Sequence, residues 1–160
     1  MTEAFDMRFS NLLKTGTAVC IGLLLLFSYE VLSRQLVIHD ITIDEEEECA
    51  LIQVDFNFPV RYVNHFPYEA GKDLRIRLRP IAIGPEIRDA VFSRETRPLP
   101  PNDVASLLEV IYEGNIVGGP YLSLFFRRSM VSKVKQGADF RSLAIVVQGA
   151  GPSKPCSFSP

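Results

Sequence analysis

Apolar and polar residues alternate with a period of two along most of the chain from Gln35 to Val147. Over Gln35–Asp44, Leu36, Ile38, Ile41 and Ile43 stand among polar neighbours, which is the pattern of a half-buried strand. Ala50–Phe58 repeats it, with Ile52, Val54, Phe56 and Phe58 on one face, before Pro59 interrupts and Val60–Val63 continues. Proline cannot donate to a strand ladder, so the interruption predicts an edge or a bend. After a turn at residues 67–72, Leu74, Ile76 and Leu78 alternate with Arg75, Arg77 and Arg79. Successive strand side chains point to opposite faces, so the three arginines share one. Residues 84–102 contain Gly84, Pro85, Pro98, Pro100 and Pro101 and show little period, so they read as a loop. Val104–Tyr112 fits either a short helix capped by Asp103 or a strand over Leu108–Tyr112 closed by Glu113-Gly114-Asn115. Glycine in a short polar turn favours the strand for its second half. Tyr121–Phe126, Met130–Val134 and Phe140–Val147 complete the pattern, and Gly149–Pro160 is a Gly/Pro/Ser-rich tail. The expected fold is all-β, with seven or eight short strands in a small sandwich or closed sheet.

One short motif occurs twice. Gly71-Lys72-Asp73-Leu74-Arg75 returns 66 residues later as Gly137-Ala138-Asp139-Phe140-Arg141. Each copy follows a stretch rich in β-branched and aromatic residues. The repetition predicts a β-sandwich built from two related β-units over residues 34–149.

The 160 residues allow one domain. Arg8 and Lys14 precede the apolar run Ala18–Phe27, and no charge occurs between Thr15 and Tyr29. A bilayer span usually takes about 20 mainly apolar residues. The shorter run predicts an apolar N-terminal helix over residues 1–33 that is either a cleaved secretory signal or a single-pass inner-membrane anchor. Positive charge before the run predicts export of the rest, to a periplasmic location. The run mostly follows Cys20, unlike a lipoprotein signal, and no Gly-Phe prepilin junction is present. Cys49 and Cys156 flank the two β-units. In an oxidising compartment such a pair is expected to close and pin the tail. Closing a loop of about 100 residues is worth roughly 4–5 kcal/mol before strain. The alternative is two unpaired buried thiols.

Among candidate sites the ladder Arg75, Arg77 and Arg79 leads, because the planar guanidinium fork suits carboxylates. The competing expectation is that the three are solvated or meet Glu45–Glu48, part of the acidic run Asp44–Glu48, within the molecule. That run lacks the alternating spacing and glycine of a calcium loop and reads as a solvated turn. Arg127, Arg128, Lys133 and Lys135 form a second basic cluster, where charge can simply protect an edge strand. Phe125 and Phe126 are adjacent, so a strand turns them to opposite faces and leaves one for a partner. His39 and His65 are the only histidines, and neither has a ligand partner at metal-site spacing. Cys49, His65 and Asp55 are the one imaginable nucleophilic set, and the flanking position of Cys49 argues instead for a bridge. Phosphate-loop and serine-nucleophile motifs do not occur. The net charge of −2 gives no general attraction to nucleic acid. The chain therefore reads as a non-enzymatic protein without metal or cofactor.

Phe56-Asn57-Phe58-Pro59-Val60-Arg61-Tyr62, a turn, and Leu74-Arg75-Ile76-Arg77-Leu78 together resemble the AMIN domain, the localisation module of periplasmic amidases and pilus secretins. Gly118–Leu124 and Gly137–Ser142 resemble strands in the N-terminal β-module of some proteobacterial envelope proteins that continue into tetratricopeptide repeats. The resemblance covers about residues 36–149. It implies a β-sandwich that docks on peptidoglycan or an envelope protein without catalysis of its own. The alternative is a small single-pass structural subunit of a membrane-associated complex. No repeat array or amidase segment lies within the 160 residues, so any activity of such a segment is expected to be absent or to come from a partner.

Overall fold

Alternation becomes strand wherever one face can be buried, a condition met by seven of the eight strands in the computed structural model. It describes residues 35–81, 83–151 and 156–158. The expected signal or anchor over residues 1–33 lies outside the described residues. Among the described residues no helix is long and apolar enough to cross a membrane. The strands are β1 (Ile38–Glu45), β2 (Cys49–Phe56), β3 (Val60–Phe66), β4 (Ala70–Pro80), β5 (Arg94–Arg97), β6 (Leu107–Glu113), β7 (Tyr121–Gln136) and β8 (Ser142–Gly149). Between β4 and β5 lie a 3₁₀ turn (Pro85–Ile87) and the single-turn helix α1 (Arg88–Val91). The fold is all-β and antiparallel throughout.

The strand order is β1-β2-β8-β7-β4-β3, with β6 paired to β7 and β5 paired to β6. The long strand β7 makes this branching possible. Its first half lies between β4 and β6, with Leu124 opposite both Leu74 and Val110. Beyond Arg127–Ser129 it pairs with β8, from Met130 opposite Gly149 to Gln136 opposite Leu143. Inward residues from every strand except β5 join one apolar cluster, from Ile38 and Ile52 through Ile76 and Leu124 to Ile145. A sheet whose strands at both ends feed one core must curl into two layers. The curl brings β1 against β5. There Val37 N–H donates to Glu95 Oε2 at 2.6 Å, and Arg97 donates to the His39 carbonyl at 3.2 Å. Tyr112 is fully buried and donates its hydroxyl to the Val91 carbonyl at 2.8 Å, tying α1 to β6.

Several sequence expectations change. The stretch read as a loop over 84–102 contains α1 and the polar strand β5. Val104–Tyr112 contributes a strand, not a helix. The two copies of the glycine motif are not equivalent in the fold. Gly71 lies inside β4, opposite Met130, and an added Cβ would come 2.6 Å from Pro67 Cγ. Gly137 opens the turn between β7 and β8, where its N–H donates to Ser142 O at 2.9 Å and Phe140 has φ of 59°. The motif serves a strand in one case and a reversal in the other, so its recurrence does not mark two equivalent structural units.

The acidic run is also more than a solvated turn. Glu45 accepts the Asp103 N–H at 3.0 Å and the Ala105 N–H at 2.8 Å, which fastens the loop ahead of β6 to the β1–β2 turn.

Because Leu124 fills the row shared by β4, β7 and β6, Leu124→Ala is expected to cost about 2–5 kcal/mol. Val131→Ala, on the outer face of the same strand, is expected to change stability by less than about 0.5 kcal/mol. Urea unfolding midpoints of the two variants check this contrast.

Candidate functional site

The β3–β4 hairpin carries the strongest concentration of exposed cations. On β4 the buried residues Leu74, Ile76 and Leu78 alternate with exposed Arg75, Arg77 and Arg79. The register places Arg61 opposite Arg79, Asn64 opposite Arg77 and Phe66 opposite Arg75, all on the outer face. Arg61 is the residue that sequence reasoning missed. It lies in β3, and only the hairpin register reveals that it extends the ladder. Arg75 is partly committed: it pairs with Glu113 at 3.3 Å, and its guanidinium carbon lies 4.5 Å from the Tyr121 ring centroid. Glu113 is held in place by the Ser123 hydroxyl at 2.8 Å. Arg61 stacks at 5.9 Å over Phe140. Arg61, Arg77 and Arg79 have no carboxylate partner among the described residues. The arginines do not meet the acidic run, whose Glu45 and Glu46 are engaged elsewhere.

On the other face of β3, opposite Leu78 and Ile76, Tyr62 and His65 form an aromatic group with Tyr68 of the hairpin turn. Tyr62 Oη and His65 Nδ1 lie 2.7 Å apart, and the His65 and Tyr68 ring centroids are 5.4 Å apart. Burial lowers the His65 pKa and raises that of Tyr62. Phe66 and Tyr68 remain 71% and 68% exposed. A rigid surface of aromatic rings and guanidiniums matches the composition of binding hot spots.

The second basic cluster is different in kind. Arg127 and Arg128 are exposed where β7 changes partners, and Arg128 donates to the Val104 carbonyl at 3.1 Å. Lys133 and Lys135 point out from the other layer. Phe126 is buried, while Phe125 is half-buried on the outer face opposite Asp73 and Glu109. Phe125 therefore shares the outer face of the arginine row, diagonal to Arg75, whereas Arg127 and Arg128 stand apart from it at the bend.

Cys49 and Cys156 are free thiols in the structure, yet they lie together. Burial, then hydrogen bonding to the Cys156 side chain, pushes the Cys49 pKa up to about 12. The Cys49 thiol also points at Glu46 Oε2 at 3.9 Å, and the Ser157 hydroxyl bonds the other oxygen of the same carboxylate. The tail is thus docked on the β1–β2 turn. The imagined nucleophilic set does not assemble: Cys49 faces Cys156, His65 faces Tyr62 and Tyr68, and Asp55 accepts from Gln53. Among the described residues no three His, Cys, Asp or Glu side chains converge as a metal ion would need.

Comparison of the chain with known protein families, with curated proteins and with solved structures finds no match.

Like charges directly opposite across two strands are destabilising. Arg79→Thr is therefore expected to leave stability unchanged or to raise it by up to about 0.5 kcal/mol. Raising ionic strength from about 0.05 to about 0.5 M is expected to stabilise the native chain more than this variant, since salt screens the repulsion. Thermal melts at the two salt concentrations measure both effects.

The neighbouring thiols predict a second outcome. Mild oxidation of the folded chain is expected to remove two hydrogens in mass and to link the peptides holding Cys49 and Cys156. Peptide mapping checks the linkage. Chemical unfolding of the oxidised form is expected to show a gain of up to roughly 4–5 kcal/mol, the chain-entropy limit for a loop of about 100 residues.

Proposed function

We propose that this chain is a non-enzymatic docking module of the bacterial envelope whose outer β3–β4 face binds an anionic cell-wall polymer. One observation carries the reading: Arg61 and Arg79 oppose each other, beside Arg77, with no carboxylate among the described residues to neutralise them. That arrangement works against folding stability, so its use lies in a partner. Guanidiniums in a row suit the carboxylates of peptidoglycan stem peptides, and Phe66 and Tyr68 at the hairpin tip offer ring faces to a glycan. The export expected from Arg8, Lys14 and the apolar run after them supports a periplasmic setting. The resemblance to AMIN-type localisation modules supports the same role.

The test is co-sedimentation of the full-length chain with purified cell-wall sacculi. The native chain is expected to sediment, and added salt is expected to release it. Arg77→Ala with Arg79→Ala is expected to weaken binding about tenfold, equivalent to about 1.4 kcal/mol for two partly solvated contacts. Failure of the native chain to sediment overturns the cell-wall reading. The partner would then be sought as an acidic protein surface, by crosslinking in the membrane fraction.

A further inference from the structure

We infer that the hollow between the end of the β1–β2 hairpin and the β7–β8 turn binds a small zwitterion, a ligand that carries an ammonium and a carboxylate together as an amino acid does. The hollow encloses about 400 Å³ and is lined by His39, Asp55, Phe56, Asn57, Asp139 and Arg141. It adjoins the end of the arginine face where Arg61 stacks on Phe140, between Asp139 and Arg141, but the inference does not depend on the docking role proposed above.

Three separate chain segments bring the charges together. Asp55 comes from β2, His39 from the irregular step in β1 between Ile38 and Asp40, and Asp139 with Arg141 from the turn before β8. Backbone bonds hold these segments in place: Phe56 N–H donates to Arg141 O at 2.7 Å and Asn57 N–H to Val37 O at 2.9 Å. Arg141 fixes one arm by donating from Nη1 to the Asn57 carbonyl at 2.9 Å. Its backbone N–H donates to Asp139 Oδ1 at 2.8 Å, which orients that carboxylate. Gln53 Nε2 holds Asp55 at 3.0 and 3.3 Å.

Yet the opposite charges do not neutralise one another. No ion pair joins Arg141 to Asp55 or to Asp139. Guanidinium has five N–H donors and a carboxylate about four acceptor sites, so each group keeps capacity after the bonds above. A simple anion would meet two carboxylates. A simple cation would meet the guanidinium. A ligand with both charges satisfies all three groups, its carboxylate on Arg141 and its ammonium on Asp55 and Asp139, with His39 at the rim. The pre-placed groups reduce the ordering cost of binding. The volume is near the small end of ligand sites, and an open polar site of this kind binds on the order of millimolar.

The test is saturation-transfer NMR on the full-length chain with L-alanine, propionate and ethylamine. The last two are alanine without its ammonium and without its carboxylate. Alanine is expected to bind saturably, with both halves at least about tenfold weaker. Asp55→Asn and Arg141→Gln are each expected to weaken alanine about tenfold, while Arg77→Ala leaves it unchanged. Because Arg141 also supports Asn57, Asp55→Asn is the decisive variant: it keeps an acceptor for Gln53 and removes only the charge. Propionate binding as well as alanine, an unchanged Asp55→Asn variant, or no alanine signal at tens of millimolar overturns the inference.

Discussion

The architecture depends on one strand taking part in both layers. β7 runs for 16 residues, bonded first between β4 and β6 and then along β8. Its inward positions keep the same phase across the change of partners: Leu122, Leu124 and Phe126, then Met130, Ser132 and Val134. A shift of one residue would turn every later side chain to the opposite face. Phase is kept by spending Arg127–Ser129 on the bend. There Arg127 N–H bonds the Ser106 carbonyl and Ala150 N–H bonds the Ser129 carbonyl. Arg127 and Arg128 are exposed at this bend, where the pairing of β4 with β7 also slips between Gly71 and Asp73. Their charge is therefore explained by the corner they occupy, and Arg128 finds a loop carbonyl there.

This arrangement decides what the sequence could reveal. β1, β2 and β4 were legible because each buries one face and leaves the other largely polar, which writes the period into the residues, whereas β8 showed as an apolar run with Val146 buried on its other face. Pro59 correctly marked the break between β2 and β3. β5 was not legible, since Arg94-Glu95-Thr96-Arg97 has no apolar residue and becomes a strand only through its pairing with β6. β7 read as two strands because the bend interrupts the alternation. The nearness of the two cysteines was foreshadowed by their positions at either end of the β-rich region. The arginine row was legible within β4, whereas Arg61 required a register that depends on an irregular step between Tyr62 and Asn64. The hollow was not legible at all. Asp139 and Arg141 stood out only as parts of a repeated motif, and their closeness to His39 and Asp55 arises from tertiary contact.

Charge is sorted along the sheet. The β1–β2 hairpin carries Asp40, Asp44, Glu45, Glu46, Glu47, Glu48 and Asp55 and no Lys or Arg, while β3–β4 carries Arg61, Lys72, Arg75, Arg77 and Arg79. The two hairpins lie at opposite ends of the strand order. The acids include structural acceptors: Glu45 holds backbone N–H groups of the loop before β6, and Glu46 meets the tail. Charged acceptors of this type make stronger bonds than neutral ones, so part of the acidic run belongs to the fold.

The arginines divide by a simple rule of supply. Arg97, Arg128 and Arg141 each reach a backbone carbonyl, and each stands at an edge, a bend or a turn where carbonyls are not all consumed by a ladder. Among the described residues Arg77 and Arg79 have no such acceptor. They project from β4, which is bonded to β3 on one side and, at Arg77, to β7 on the other. The backbone there is already satisfied, and the neighbouring outward side chains are Asn64, Tyr121 and another arginine. A guanidinium in that position gains nothing from the fold beyond hydration. Among the described residues no carboxylate completes it. The outer face of the β3–β4 hairpin, at one end of the strand order, is thus the part of the described surface that the protein's own interactions explain least.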